Sequence, residues 1–358
     1  MTSSSAAVVE GFTLQADWCD RMNSPLYGTL LLAARDDIAA GGPVDEVVSV
    51  FEGDPVAAAL ALRFMGGVHR LVLMGLAPDL ARHYPSVGGT PDDETVVADF
   101  LATVAAHRGY LREALAIAPQ TNEVGRSAML FPGLLAALDG DQLDVALLEI
   151  GASGGLNLFG DRFRYDFASW SFGDTGSRVR ISGEWRGAAP PLPSDVRIAT
   201  RRGCDVMPLD VTDEELQLRL LSFIWPDQPE RFDRVRGAID IALEDPPTLD
   251  EADAGMWLEE QLAGAAPRGT MTVVQHSLMW QYLADDTKRR AEEASADAGR
   301  RATKRRPFAH VSFEAAPDWH GGGGFLISAT RWPGGVTRTL GRAHAHGVWV
   351  EWGDAVSP

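Results

Sequence analysis

The sequence predicts an α/β fold: a mostly parallel sheet with an antiparallel C-terminal edge, preceded by an all-helical N-terminal region. Three observations carry this. Ala- and Leu-rich segments recur from about Gly11 to Leu138. From Asp144 onward strand and helix signals alternate, the pattern of a sheet with helices packed on it. The chain then closes on three short strand-like runs, Phe325–Thr330, Val336–Leu340 and Val348–Trp352. The expected division is a helical cap over residues 1–140 and an α/β domain over 141–358, with an insert at about 160–195.

Residues 1–10 read as frayed. The cap region offers helices at Pro25–Ala40, Asp54–Met65, Asp92–Leu115 and Gly125–Leu138. Asp54-Pro55 reads as an N-cap followed by proline at the first helical position. Gly66-Gly67 and Gly88-Gly89 read as stops. Two polar stretches stand out, His83-Tyr84-Pro85-Ser86 and Gln120-Thr121-Asn122-Glu123-Val124-Gly125-Arg126. The second reads either as a helix cap or as a polar wall facing a ligand. On the latter reading Gln120, Asn122, Glu123 and Arg126 are candidate substrate-binding residues.

The stretch that organises the rest runs from Asp144 to Leu158, DVALLEIGASGGLNL. Val145–Leu148 is a continuous apolar run, as expected of a strand buried on both faces. Glu149 ends it. Gly151, Ser153, Gly154 and Gly155 make a small-residue turn, and Leu156–Phe159 can open a helix. Strand, Gly-rich turn and helix begin a nucleotide-binding unit, in which glycines let a ligand approach the backbone. Two chemistries share this shape. As Glu-x-Gly-x-Ser-x-Gly it is similar to the first motif of class I methyltransferases that use S-adenosylmethionine. As Gly151-x-Ser153-x-Gly155 it spells the nucleophile elbow of a serine hydrolase.

Further along, Arg178–Ile181 and Val196–Arg201 read as strands, and Thr212–Phe223 and Pro229–Leu243 as helices. Pro247–Leu249 is a short extended segment, with a helix after Asp253-Ala254. Thr270–Val274 is a β-branched strand running into Gln275-His276-Ser277. Asp285–Arg306 is a polar, basic helix, and Phe308–Glu314 another strand. In such sheets ligands sit at the C-terminal strand ends. The residues there are Glu149, Asp205, Asp253, His276 and Glu314.

Composition narrows the partners. A formal net charge of −18 disfavours nucleic acid and anionic membrane surfaces, so a small molecule is expected. The basic helix lacks interleaved aromatics and reads as a solvated face. Cys19 and Cys204 form no disulfide framework or zinc spacing. No basic leader and no apolar run of about 20 residues occur, so a cytoplasmic protein is expected.

The hydrolase reading needs strands and an oxyanion motif upstream of the serine, where the chain reads helical. Downstream it could draw on Asp318 or Asp253, then His320, His344 or His346. The methyltransferase reading needs an acid for the ribose diol, for which Asp205 is available. It also needs a polar adenine contact, Asp253, and a polar turn beside the methyl donor, Gln275-His276-Ser277. Glu149, Gly151, Ser153, Gly155, Asp205, Asp253 and Gln275 are therefore the candidate donor-binding residues. His276 is the candidate base, since an imidazole accepts a proton near neutrality. The third possibility is a non-catalytic nucleotide-binding module.

Several motifs in order resemble a bacterial family, the domain-of-unknown-function family numbered 2332. They are Ala16-Asp-Trp-Cys-Asp20 with Ser24-Pro-Leu-Tyr27, Gln120–Arg126, and Leu148-Glu-Ile-Gly-Ala-Ser-Gly-Gly-Leu-Asn157. Arg202-Gly-Cys-Asp205, Trp225-Pro-Asp227, Val274-Gln-His-Ser277 and Gly341-Arg-Ala-His344 follow. The resemblance spans nearly the whole chain. It implies a methyltransferase-like Rossmann domain with a helical N-terminal region, and names no substrate. Ser153 departs from the methyltransferase pattern, standing where the middle glycine is usual.

Overall fold

The computed structural model describes residues 3–193, 195–316 and 324–353. Asp318 and His320 lie outside the described residues. Two compact units emerge. One comprises residues 1–121 together with 214–233, and the other 122–213 with 234–358. The helical unit thus ends earlier than the expected boundary at 140 and takes in a distant segment.

A helix runs from Ser3 to Arg21, so residues 3–10 are helical where a frayed end was expected. Pro25–Ala40 is helical as expected, and Gly41 stops it in the left-handed conformation. Asp54 caps a turn through Val56 N and Ala57 N, but the helix proper is Leu60–Leu73. Gly66 and Gly67 lie inside that helix rather than ending it. A Cβ on Gly66 would come within 2.5 Å of the Phe223 ring, and one on Gly67 within 2.9 Å of Ala114 Cβ. These glycines are there for close packing. The expected helix over 92–115 divides at His107 into Val96–Ala106 and Arg108–Ala114. Phe12, Phe64 and Phe100 pack through the core in tilted and edge-on contacts, with centroids 5.8 and 6.2 Å apart.

His83 is buried with Nε2 2.9 Å from Asp99, and Asp92 N donates to its Nδ1. Ser86 Oγ bonds the buried His69. The first polar stretch is therefore internal bracing. Asp227 of the Trp225-Pro-Asp motif accepts from Ser24 Oγ at 2.5 Å and from Leu26 N at 2.9 Å. It caps helix 25–40, whose own Ser24 makes no side-chain cap. This links two motifs some two hundred positions apart. Asp227→Ala should cost about 1–3 kcal/mol, because it strands two donors. Chemical denaturation reads this directly, and an unchanged midpoint would refute it.

The second unit is built on a sheet. Its strands are β1 Asp144–Ile150, β2 Arg164–Phe167, β3 Trp170–Phe172, β4 Arg180–Ile181, β5 Glu184–Gly187 and β6 Ile198–Asp205. There follow β7 Thr248–Glu251, β8 Thr270–Ser277, β9 Phe308–Ala315, β10 Phe325–Trp332, β11 Val336–Ala343 and β12 Trp349–Trp352. The large sheet has nine strands in the order β5-β12-β11-β10-β9-β8-β1-β6-β7. β7, β6, β1, β8 and β9 are mutually parallel, while β10, β11 and β12 form an antiparallel meander. This is a Rossmann-like α/β fold, with the antiparallel C-terminal edge built from the three terminal runs. The insert forms β2–β5. Three of these strands make a small separate sheet, and β5 pairs in parallel with β12.

Strand alternation divides the sheet's side chains between two faces. Leu148, Ile150, Val274 and Phe308 pack with Trp257, Leu258, Ala291 and Ala294 of helices Ala254–Gln261 and Asp285–Arg301. The opposite face carries helix Ser127–Leu138. Its Gly133 lies so close to β9 that a Cβ would come 2.6 Å from Val311. No helix among the described residues is long and apolar enough to cross a membrane.

Candidate functional site

β1 lies between β6 and β8, so the strand order reverses there. In open α/β sheets this switch point is where ligands bind, beyond the strand C-termini. Glu149 stands at that position, 2% exposed and in register with Gln275 on β8. Gln275 Nε2 donates to Glu149 Oε2 at 3.2 Å and to the Asn157 carbonyl at 3.3 Å. Burial pushes the Glu149 carboxyl up from 4.5 to about 8, against the pull of Gln275 and Arg126.

The Gly-rich turn follows, but no α-helix opens after it. Residues Leu156–Arg162 form a 3-10 helix kinked at Phe159. Gly151 (φ 66°) and Gly155 (φ 70°) are left-handed, as is Ser153 (φ 53°), a conformation unusual for a side-chain-bearing residue. Ser153 N donates to Asp205 Oδ2 at 2.9 Å, and Met207 N to Asp205 Oδ1 at 3.0 Å. Ser153 Oγ is buried without a hydrogen-bond partner. The space left by the glycines is filled by protein. A Cβ on Gly151 would meet Met279 Cγ at 2.8 Å, and one on Gly155 would meet Pro247 at 3.0 Å.

The Gln120–Arg126 motif is split between the units at 121/122. Its second part is wired into the turn. Asn122 Oδ1 accepts from Leu156 N at 2.8 Å, and the Glu123 carbonyl accepts from Asn157 Nδ2 at 3.3 Å. Glu123 Oε1 accepts from Gly125 N at 2.9 Å, and Arg126 Nη1 donates to the Ser277 carbonyl at 3.1 Å. Gly125 also packs against the β11–β12 loop, where a Cβ would overlap the His346 carbonyl oxygen. Four motifs distant in sequence, those around Asn122, Glu149, Gln275 and His344, therefore meet at one edge of the sheet. His344 and His346 are close, with centroids 5.4 Å apart, and His346 N donates to His344 Nδ1. Among the described residues no group of three or more His, Cys, Asp or Glu could hold a metal ion.

His276 follows Gln275 directly, so it points to the other face, away from Glu149. There Nδ1 sits 2.7 Å from Glu314 Oε1, which also accepts from Met279 N and Trp280 N at 3.2 and 3.4 Å. The ring stacks on Trp280 (5.1 Å, 24°) and lies 5.0 Å from His310. Burial, and secondly His276, push His310 down to about 3, so this neighbour stays neutral. A carboxylate on Nδ1 fixes the tautomer and leaves Nε2 as the basic nitrogen. Glu314 was legible only as a strand end. Its role depends on the β8–β9 register, which pairs His276 with Ser312, two residues earlier.

Asp253 stands apart from both groups. Its Oδ1 accepts from Gly255 N and Met256 N, and Oδ2 from Thr287 Oγ1, which caps helix 254–261.

The chain matches the family model described as "Uncharacterized protein conserved in bacteria (DUF2332)" over residues 9–352, and it belongs to that family. No curated protein and no solved structure matches it.

Proposed function

We propose that this DUF2332 member is an S-adenosylmethionine-dependent methyltransferase acting on an oxygen or nitrogen of a small molecule. The observation that carries the reading is the buried, under-bonded Glu149 at the switch point of a parallel sheet. A buried acid of this kind has a natural partner in a ligand cation. When bound, the donor supplies an electrophilic methyl group on a sulfonium, together with an amino group.

The residues fit such a donor in charge and in hydrogen bonding. Glu149 meets the cationic groups, and Gln275 holds its carboxylate in place. Ser153 Oγ, now without a partner, bonds the carboxylate end. Asp205 serves mainly to brace the turn, since both its oxygens already accept backbone N–H groups. Met279 must swing off Gly151 to admit a ligand. Holding the acceptor in line is the main source of rate. His276, the expected base, has its side chain on the face opposite Glu149 and tied to Glu314, so the reading gives it no part in the transfer.

Calorimetric titration of the full chain with S-adenosylmethionine and S-adenosylhomocysteine tests this. Micromolar binding is expected, with a proton released at pH 7 as Glu149 ionises, and Glu149→Gln should weaken it at least about tenfold. Silence with both ligands would remove the proposal. A hydrolase reading draws on the strained φ of Ser153, but its Oγ has no histidine bonded to it. Labelling by a fluorophosphonate, lost in Ser153→Ala, would establish it instead. Binding without turnover across a broad acceptor panel would favour a nucleotide-responsive module.

A further inference from the structure

The His276–Glu314 pair takes no part in the transfer, and what it holds suggests another use. β8 ends at Ser277 and helix 285–301 begins at Asp285. Between them residues 278–284 form a short strap. Leu278 N donates to the Phe313 carbonyl of β9 at 2.9 Å, and Met279 lies against Gly151 just beyond β1. The strap therefore reaches across the strand ends from β9 to β1. Leu278 has φ 50°, a left-handed conformation that a leucine keeps only where its surroundings impose it.

The strap's hold on the sheet is narrow. Gln281 and Tyr282 are exposed, while Met279, Trp280 and Leu283 pack inward on the core. A single oxygen, Glu314 Oε1, accepts from Met279 N, Trp280 N and His276 Nδ1. The Trp280 ring lies on His276. Loss of that one acceptor frees two strap amides together.

We propose that this strap is the gate of the Gly-rich turn, with Met279 as its plug and Glu314 as its latch. The proposal rests on the reading above, which places the donor at Gly151. Closed, Met279 Cγ and Cβ occupy the space in front of Gly151, 2.8 and 3.0 Å from where a Cβ would stand. Opening turns the strap about Leu278 and bares the glycine. His276 is then a positioning residue, whose ring N–H keeps the carboxylate beneath the two amides.

Cys204 reports the gate without any ligand. It is buried at the end of β6, and the Gly151 amide donates to its sulfur. Alkylation of the full chain by iodoacetamide, read at Cys204 by peptide mass spectrometry, is the experiment. Glu314→Gln and Met279→Ala should each speed Cys204 labelling by about tenfold or more. Cys19, buried in the core of the helical unit, should keep its rate. The double variant should label no faster than Met279→Ala alone, because the plug is already gone. An unchanged Cys204 rate, or rises that multiply in the double variant, would overturn the proposal. Should Glu314→Gln fail to fold, Trp280→Leu, which removes the stack and leaves the carboxylate, takes its place in the same cycle. Failure of S-adenosylhomocysteine to bind would remove the donor reading, while the labelling cycle would still decide whether the strap gates Gly151.

Discussion

Between pH 5 and pH 8 the chain should lose on the order of 4 kcal/mol of stability through Glu149 alone, and Glu149→Gln should remove that loss. The carboxyl titrates at an ordinary 4.5 when unfolded and at about 8 in the fold, chiefly through burial. Across that interval the folded chain holds a proton that the unfolded chain has released. The unfolded state therefore binds fewer protons, and stability falls as pH rises, levelling off above about 8. Each pH unit of the interval is worth about 1.4 kcal/mol. Other groups titrate too, so the quantity to measure is the difference between parent and variant. Denaturant unfolding at pH 5 and pH 9 should give curves that converge at the lower pH and separate at the higher, with the variant the more stable. Curves that stay parallel would mean that Glu149 is already ionised in the fold. The same proton is the basis of the coupling between pH and ligand in the proposed function, because a cationic ligand must expel it.

The second large effect is expected at the meeting of the Gly125 and His344 loops. Gly347 has φ 72°, and a Cβ there would overlap the Gly125 carbonyl oxygen, as one on Gly125 would overlap that of His346. Gly347→Ala pays both the left-handed conformation, about 1 kcal/mol, and the overlap, for a total of roughly 2–4 kcal/mol. Gly125→Ala pays the overlap alone. Each change pushes the same two backbones apart, so the second should cost much less once the first is made. A double-mutant cycle with a coupling of about 1 kcal/mol or more is the expected result. Strict additivity would show that the loops adjust separately. Because Arg126 adjoins Gly125, both variants should also weaken binding of the proposed donor at the C-terminal end of β1.

Much of the fold was legible because it is local. An apolar run ending in an acid marked β1, and β-branched residues marked β8. The site was legible in membership more than in arrangement. Gln275 and His276 read as one polar turn, yet they belong to β8 and so face opposite ways, a consequence the period of two already contains. Glu314 needed the register between β8 and β9, which no short motif encodes. The Gly-rich turn promised open space, but Met279, Pro247 and Leu249 fill it, and which side chain packs against a glycine is a long-range fact. Gly66-Gly67 read as a helix stop because local propensity says so, whereas tertiary packing against Phe223 and Ala114 decides it.

The cap that Asp227 places on helix 25–40 also sets a timetable. A ribosome releases the chain N-terminus first, at roughly 5–20 residues per second. The helices before residue 121 emerge lacking Trp225 and Asp227, which complete their core and its capping, until roughly a hundred further residues have been made. During those seconds the nascent bundle is an unfinished body with an apolar slot open to water. A chain stopped at residue 140 should remain in that state, cut readily by protease where the full-length protein resists. The natural unit of synthesis for the helical body thus extends to residue 233, and the strands of the sheet are being laid down while it waits.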